Sequence, residues 1–382
     1  MPFIENIDIY RVRVPLVYPF RTAYGSDAAV EPVLVRISDG NHFGWGESQP
    51  FHFPTFCPEY SAGVFQLIRD VLAPAIVGQE IRSSEEIYER LKWFKGNPFA
   101  KGALDMAYWD LVARRRGEPL YRLFGGNDTI EVGADFGVMD SHAALLDKIA
   151  EALASGYKRV KLKFAPGWDV DMLAAVRQAY PDTVFHIDCN SAYTLADVEL
   201  FKRIDDFGLA MIEQPLAHDD LIDHATLQEQ IRTPICLDES ITSPDKARKA
   251  IAIGACRWIN IKPIRVGGLT SARAIHDLCA KANVPCWVGG MVETGLGMAH
   301  CAVIASLSNV RYPNDIFPSK RFFVPDLAMP ELMLSGPARM RLPDVPGVGA
   351  DPNPQLLEKW TLERATVTEA QAMATGATLG GR

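Results

Sequence analysis

Five polar residues punctuate the middle of the chain at a nearly fixed interval: Lys163, Asp188, Glu213, Asp238 and Lys262 are separated by 25, 25, 25 and 24 residues. Each stands near the end of a short run rich in β-branched residues. The runs occupy 131–137, 158–164, 184–190, 209–215, 234–240, 257–263, 285–290 and 309–315. Between them lie longer segments, such as 140–154, 169–179 and 267–282, whose apolar residues recur with helical periodicity. Strands that alternate with helices build parallel β/α units, and a sustained period marks a repeating architecture. Eight such strands close into a β/α barrel. The open dinucleotide-binding sheet is the competitor, disfavoured because no run is followed by a G-x-G-x-x-G turn that opens a helix.

The chain before this repeat reads differently. Ile7, Ile9, Tyr10, Val12 and Val14 mark a strand, and 32–37 and 42–48 flank Ser38-Asp39-Gly40-Asn41 as a hairpin does. Residues 60–74, 83–95 and 98–116 read as helices, the last with Ala103, Leu104, Ala107, Leu111 and Val112 at helical spacing and Gly117 after a basic end. The expected organisation is an α+β capping domain over 1–128 and a barrel over 129–320. A Pro- and Gly-rich segment over 321–368 returns to the cap, and 369–382 forms a mobile tail. The fold class is therefore α/β, a barrel with an N-terminal α+β cap completed by the C-terminal segment.

Composition narrows the function. The net charge of −8, without a basic stripe, excludes nucleic acid as the expected partner. Seven cysteines with no C-x-x-C argue against a disulfide framework or structural zinc, and for free thiols in a reducing compartment. The N-terminus has no signal-peptide pattern, and no apolar run is long enough to span a bilayer. A cytoplasmic protein without a membrane partner is expected.

Barrel chemistry collects at the C-terminal strand ends. Those ends carry Lys161 and Lys163, Asp188 and Asn190, Glu213, Asp238, Lys262 and Glu293. Residues two apart on a strand face one way, so both members of each pair can point inward. Three converging carboxylates would repel and force a proton onto one of them. A hard divalent cation such as Mg²⁺ removes that conflict. Structural salt bridges with the lysines would account for one such acid, but not for three at matched strand ends. A metal that holds both oxygens of a substrate carboxylate stabilises the enediolate formed when the adjacent proton leaves. Lys163 and Lys262 lie across the ring from each other and suit removal of a proton from one face and its return to the other. Lys161 supplies a neighbouring cation that lowers the pKa of Lys163.

These stretches, Lys161-Leu162-Lys163, Asp188-Cys189-Asn190, Ile212-Glu213-Gln214-Pro215, Leu237-Asp238-Glu239-Ser240 and Ile261-Lys262-Pro263, resemble the enolase superfamily in its muconate-lactonizing-enzyme subgroup. Within it, Lys163-Phe164-Ala165-Pro166-Gly167-Trp168-Asp169, Lys262-Pro263-Ile264-Arg265-Val266-Gly267-Gly268 and Gly289-Gly290-Met291-Val292-Glu293-Thr294-Gly295 look most like N-succinylamino-acid racemases and o-succinylbenzoate synthases. The resemblance spans nearly the whole chain. It implies a modified (β/α)7β barrel, with Asp188, Glu213 and Asp238 as Mg²⁺ ligands (Mn²⁺ as a substitute). Lys163 and Lys262 become the acid/base pair, with Lys161, Asn190, Arg265 and Glu293 in support. Arg265 matches a position that tunes the second lysine. Tyr24, Phe56, Asp135, Gly290, Met291 and Met298 are the expected substrate contacts, with loops 21–25 and 51–60 closing over a small carboxylate substrate. A homo-oligomer is also implied.

The chain departs from those relatives at Asp135, where a small Ser is usual, and at Met298 and Cys301, where Arg and Asn are common. The aromatic cap loop (Phe51, His52, Phe53, Phe56) is a further difference. His186 is expected off the Asp188 side, packed on a helix, and His300 within a helix. The expected reaction is racemisation or epimerisation of an N-acyl or N-substituted amino acid. The alternatives are β-elimination or cycloisomerisation of the o-succinylbenzoate synthase or muconate cycloisomerase type, and dipeptide epimerisation. A Schiff-base lyase and a non-catalytic binding barrel are the competitors from other mechanisms.

Overall fold

The computed structural model describes residues 2–22 and 25–375. Strand β1 (Asn6–Val12) pairs with β2 (Val33–Ser38), which turns into β3 (Phe43–Ser48) through the expected hairpin. At the turn, the Asp39 carboxylate accepts from the backbone N–H of Asn41 and of His42, and Gly40 takes φ +88°. The strand Thr361–Thr368 pairs with the free edge of β1, so the C-terminal segment completes the cap sheet. Helix α1 (Pro98–Arg116) lies across this sheet. It begins on Pro98 and ends at Gly117 in the left-handed region, after three arginines. The buried Glu59 carboxylate accepts from the N–H groups of Phe99 and Ala100, satisfying two of its otherwise orphaned donors.

Seven parallel strands follow, each hydrogen-bonded to the next in chain order. They are β4 (Ala134–Phe136), β5 (Arg159–Lys163), β6 (Val184–Asp188), β7 (Ile212–Glu213), β8 (Ile235–Leu237), β9 (Trp258–Ile261) and β10 (Cys286–Val288). Helices lie between successive strands, and α2 (Gly295–Ala305) follows β10. The eighth run does not form the expected strand. Residues 309–315 close the ring through isolated bridges, Val310 to Cys286 on one side and Asn314 to Val132 on the other. Pro313 offers no N–H to a ladder, which accounts for the break. The backbone N–H of Asp315 still reaches the carbonyl of Val288, and that of Gly133 reaches the carbonyl of Asn314.

His186 departs from expectation. It lies two residues from Asp188 and therefore on the same face of β6, fully buried inside the barrel against Trp287 and Tyr312. His300 is buried within α2, as expected. In the segment expected to be a tail, Glu369–Thr375 is helical. The seven cysteines are free; six are buried and Cys57 is half-buried. Among the described residues, no helix is long and apolar enough to cross a membrane.

Candidate active site

Strand register builds the floor of the site. Lys163 on β5 pairs with Asp188 on β6, and Asp188 with Glu213 on β7, so one row crosses three strands. One row lower stand Asp135, Lys161 and His186. Asp238 and Lys262 each follow the last residue of their strands, β8 and β9.

The row is tied together by charge. The Lys163 ammonium donates to Asp188 Oδ2 at 2.7 Å and to Asn190 Oδ1 at 2.5 Å. The Lys161 Nζ lies 2.8 Å from the same Asp188 oxygen, 3.0 Å from Glu213 Oε2 and 3.3 Å from Asp315 Oδ2. Burial opposes the charge on Asp188, but Lys161 and Lys163 outweigh it and hold the carboxyl well below the usual range. Burial opposes the charge on Lys161 too, yet Asp188, Glu213 and Asp315 raise its pKa well above the ordinary value, which makes Lys161 a standing cation. The Glu213 carboxyl is held down against both burial and the Asp188 charge, with Lys161 and His186 on the other side of the balance.

Across the barrel, Lys262 Nζ lies 2.8 Å from Asp238 Oδ2 and 5.2 Å from the centre of the Phe56 ring. Arg265 contacts the other oxygen of Asp238 and donates to the carbonyls of Ile241 and Asn260. It thus reaches Lys262 only through Asp238. Asn260 donates to Glu213 Oε1 at 2.7 Å and fixes that carboxylate from below.

One cavity opens above this floor. Lys161, Lys163, Asn190, Lys262, Asp135, Gly290, Met291 and Phe56 all line it, as the sequence predicts. Space is tight at Gly290, where a Cβ would come within 2.9 Å of the Met298 methyl, 3.0 Å of Glu293 Oε2 and 3.1 Å of the Asp315 carbonyl. That packing explains one correction. Met298, on α2, is buried behind Gly290 and is not among the residues that line the cavity. Glu293, expected in a supporting role, turns inward and accepts from the N–H of the cavity-lining Met291, and burial pushes its carboxyl up. Tyr24 lies outside the described residues.

Phe51 also lines the cavity, from the 51–60 loop expected to close over the substrate. The sequence reading missed Val292, Phe317, Phe322 and Asp315 as lining residues. The first three come from loops whose convergence no local pattern announces. Asp315 carried a signal in Pro313-Asn314-Asp315, at the end of the eighth run. It pairs with Arg159 at 2.7 Å, and although burial opposes its charge, Arg159 and Lys161 bring its carboxyl down to about 2.

The carboxylates suit a hard divalent cation. Asp188, Glu213 and Asp238 are at most 1% exposed and offer only oxygen. Glu213 Oε2 and both Asp238 oxygens meet cations but receive no directional hydrogen bond, so acceptor capacity remains on the floor. Among the described residues, no three His, Cys, Asp or Glu side chains stand close enough to enclose an ion as they lie; the ammonium groups of Lys161 and Lys262 rest against these oxygens.

Known proteins share this arrangement of cap and barrel. Residues 5–125 match the mandelate racemase / muconate lactonizing enzyme N-terminal domain, and residues 144–356 match the enolase C-terminal domain-like family. The chain is 44% identical to an o-succinylbenzoate synthase of Geobacillus stearothermophilus, over 94% of this chain and 96% of that protein. It is 40% identical to an N-succinylamino acid racemase of Amycolatopsis sp, over 95% and 99%. A crystal structure of an enolase-superfamily member from Listeria innocua superimposes with a TM-score of 0.93 at 34% identity, covering 97% of this chain and all of that one. The chain belongs to the mandelate racemase / muconate lactonizing enzyme family and is an enzyme of the enolase superfamily.

Proposed function

We propose that this enzyme removes the proton α to a carboxylate with the help of Mg²⁺, and that its reaction is racemisation or epimerisation of an N-acyl or N-substituted amino acid. The observation that carries this reading is the placement of Lys163 and Lys262, which line one cavity from non-adjacent strands with three carboxylates on the strands between. Asp188, Glu213 and Asp238 would hold Mg²⁺, which when bound neutralises charge developing on the substrate carboxylate. Lys163 takes the proton from one face and Lys262 delivers one to the other; the opposite enantiomer reverses the roles. Lys161, held charged by its three carboxylates, adds to the positive field around that carboxylate. The aromatic wall of Phe51, Phe56, Phe317 and Phe322 keeps water from the reacting carbon.

A second reading has its own observation. Lys262 Nζ lies over the face of the Phe56 ring, 5.2 Å from its centre, a contact suited to a fixed positive charge. A lysine in that role suits a one-base elimination, and one relative of this chain is named an o-succinylbenzoate synthase.

Incubation in D₂O with Mg²⁺ and N-succinyl-L- or N-succinyl-D-phenylalanine separates the two. Racemisation predicts α-deuterium in both enantiomers and loss of optical purity, both abolished by EDTA; Lys163→Ala abolishes the loss of optical purity and the exchange of the one enantiomer whose proton faces Lys163. Exchange without inversion in the wild type would move the assignment to elimination, and exchange of both enantiomers that survives Lys163→Ala would remove that lysine from its role.

A further inference from the structure

Directly after β6 the backbone enters the left-handed region twice, at Asn190 (φ 42°) and Ser191 (φ 63°). Asn tolerates this conformation better than most residues, but such backbone persists only where its surroundings hold it. Here it brings the Asn190 amide into the cavity. The carbonyl oxygen accepts from Lys163 at 2.5 Å, and the Nδ2 group donates to Glu239 Oε1 at 3.0 Å. An ammonium only donates and a carboxylate accepts, so only one orientation of the amide satisfies both neighbours. Glu239 is buried and follows Asp238 in the loop after β8, on a different β/α unit from Lys163. Among the described residues its other oxygen, Oε2, meets no hydrogen-bond donor, and Asn190 is the side chain that donates to Oε1.

We propose that Glu239 is a positioning residue for Lys163, acting through the side-chain amide of Asn190. The inference rests on the reading of Lys163 as a proton carrier. Lys163 meets two acceptors, Asp188 and Asn190, and Glu239 accepts from the far end of the second in the orientation that presents its oxygen to Lys163. Among the described residues no side-chain amide accepts from Lys262; it lies against Asp238, the Met291 sulfur at 3.7 Å and the Phe56 ring. Proton transfer depends steeply on the aim of the nitrogen. Loss of the Glu239 contact should therefore handicap one face of the site and not the other.

The test compares Glu239→Gln with Glu239→Leu. Both remove the charge, which Lys262 also feels, but only Gln keeps an acceptor for Asn190. Stereospecific α-deuterium exchange of N-succinyl-L- and N-succinyl-D-phenylalanine reads the two faces separately, and Lys163→Ala identifies which enantiomer presents its proton to Lys163. Glu239→Leu is expected to lower exchange of that enantiomer, relative to the other, by about tenfold or more, the size expected for a lost hydrogen bond in a charged chain. Glu239→Gln restores the ratio. Asn190→Gly, which accepts the left-handed backbone, matches Glu239→Leu, and the double variant is no worse than either single one. Crystal structures of both Glu239 variants form the second arm, with the Asn190 amide turned off Lys163 in the Leu variant alone. The proposal is overturned if the Gln and Leu variants depress both enantiomers alike, or if the amide stays on Lys163 in Glu239→Leu. A wild-type enzyme that exchanged neither enantiomer would instead count against the proton-transfer reading for this substrate, and the crystal structures would still decide the positioning.

Discussion

Asp135 is the carboxylate on the cavity wall that retains exposure, at 16% for its side chain, while Asp315 is turned into its ion pairs. Arg321 donates to the Asp135 backbone carbonyl and lies 3.6 Å from its Oδ1, too far for a hydrogen bond. A second substrate carboxylate near this wall would meet Asp135 as a like charge. Asp135→Asn should therefore raise kcat/KM for an N-succinyl amino acid relative to its N-acetyl analogue by about tenfold, the scale of a partly screened charge pair. A ratio unchanged by the substitution would mean that the acyl group lies elsewhere. At this scale the floor was readable from the sequence because strands alternate faces and the interval near 25 residues repeats. The same alternation, applied with care, puts His186 inside the barrel beside Glu213, 3.4 Å away. Met298 was not readable in this way, since its distance from the cavity depends on how tightly α2 packs behind Gly290.

Among the elements, the contact of α1 with β3 is a tight backbone-to-backbone constraint in the cap. A side chain on Gly46 would come within 2.1 Å of the Ala103 carbonyl oxygen, and one on Gly44 within 2.1 Å of the Leu111 backbone nitrogen. The helix presents Ala103 and Ala107 there, so backbone meets backbone with little side chain between. Gly46→Ala should cost about 2–3 kcal/mol by overpacking, read as a lower urea midpoint with an unchanged slope. An unaltered midpoint would show that the sheet can shift off the helix without loss. The helix itself was legible from its apolar spacing, its basic last turn and Gly117. The glycines of His42-Phe43-Gly44-Trp45-Gly46 were read only as part of a hairpin, because a local pattern does not say what lies on the opposite face. The irregular eighth run was misread for a related reason: its β-branched character suggested a strand, and Pro313 outweighed it.

Across the whole molecule, ring closure depends on charge as much as on backbone pairing. Asp315 links the last segment to Arg159 and Lys161 on β5, bridging the seam between the ends of the sheet. Its carboxyl sits near 2 instead of the usual 3.8. A depressed folded-state pKa gives stability that is fully present above about 4 and is lost as pH falls through about 2. Wild type should therefore exceed Asp315→Asn in stability at neutral pH, with the gap narrowing between about pH 4 and pH 2. Thermal melts of both proteins across that range would check it, and a gap independent of pH would mean that Asp315 contributes through shape alone.

The register row of Lys163, Asp188 and Glu213 also bears on how such a chain can change length over time. One residue deleted from β5 would swing both of its lysines into the helix layer and bring Leu162 onto the floor. A helix between strands can lose or gain a turn, and a cap loop can be recut, without moving any member of the row. Insertions and deletions are thus filtered by location: the helices and cap loops are free to drift, and the charged row on the floor is locked to a count of one.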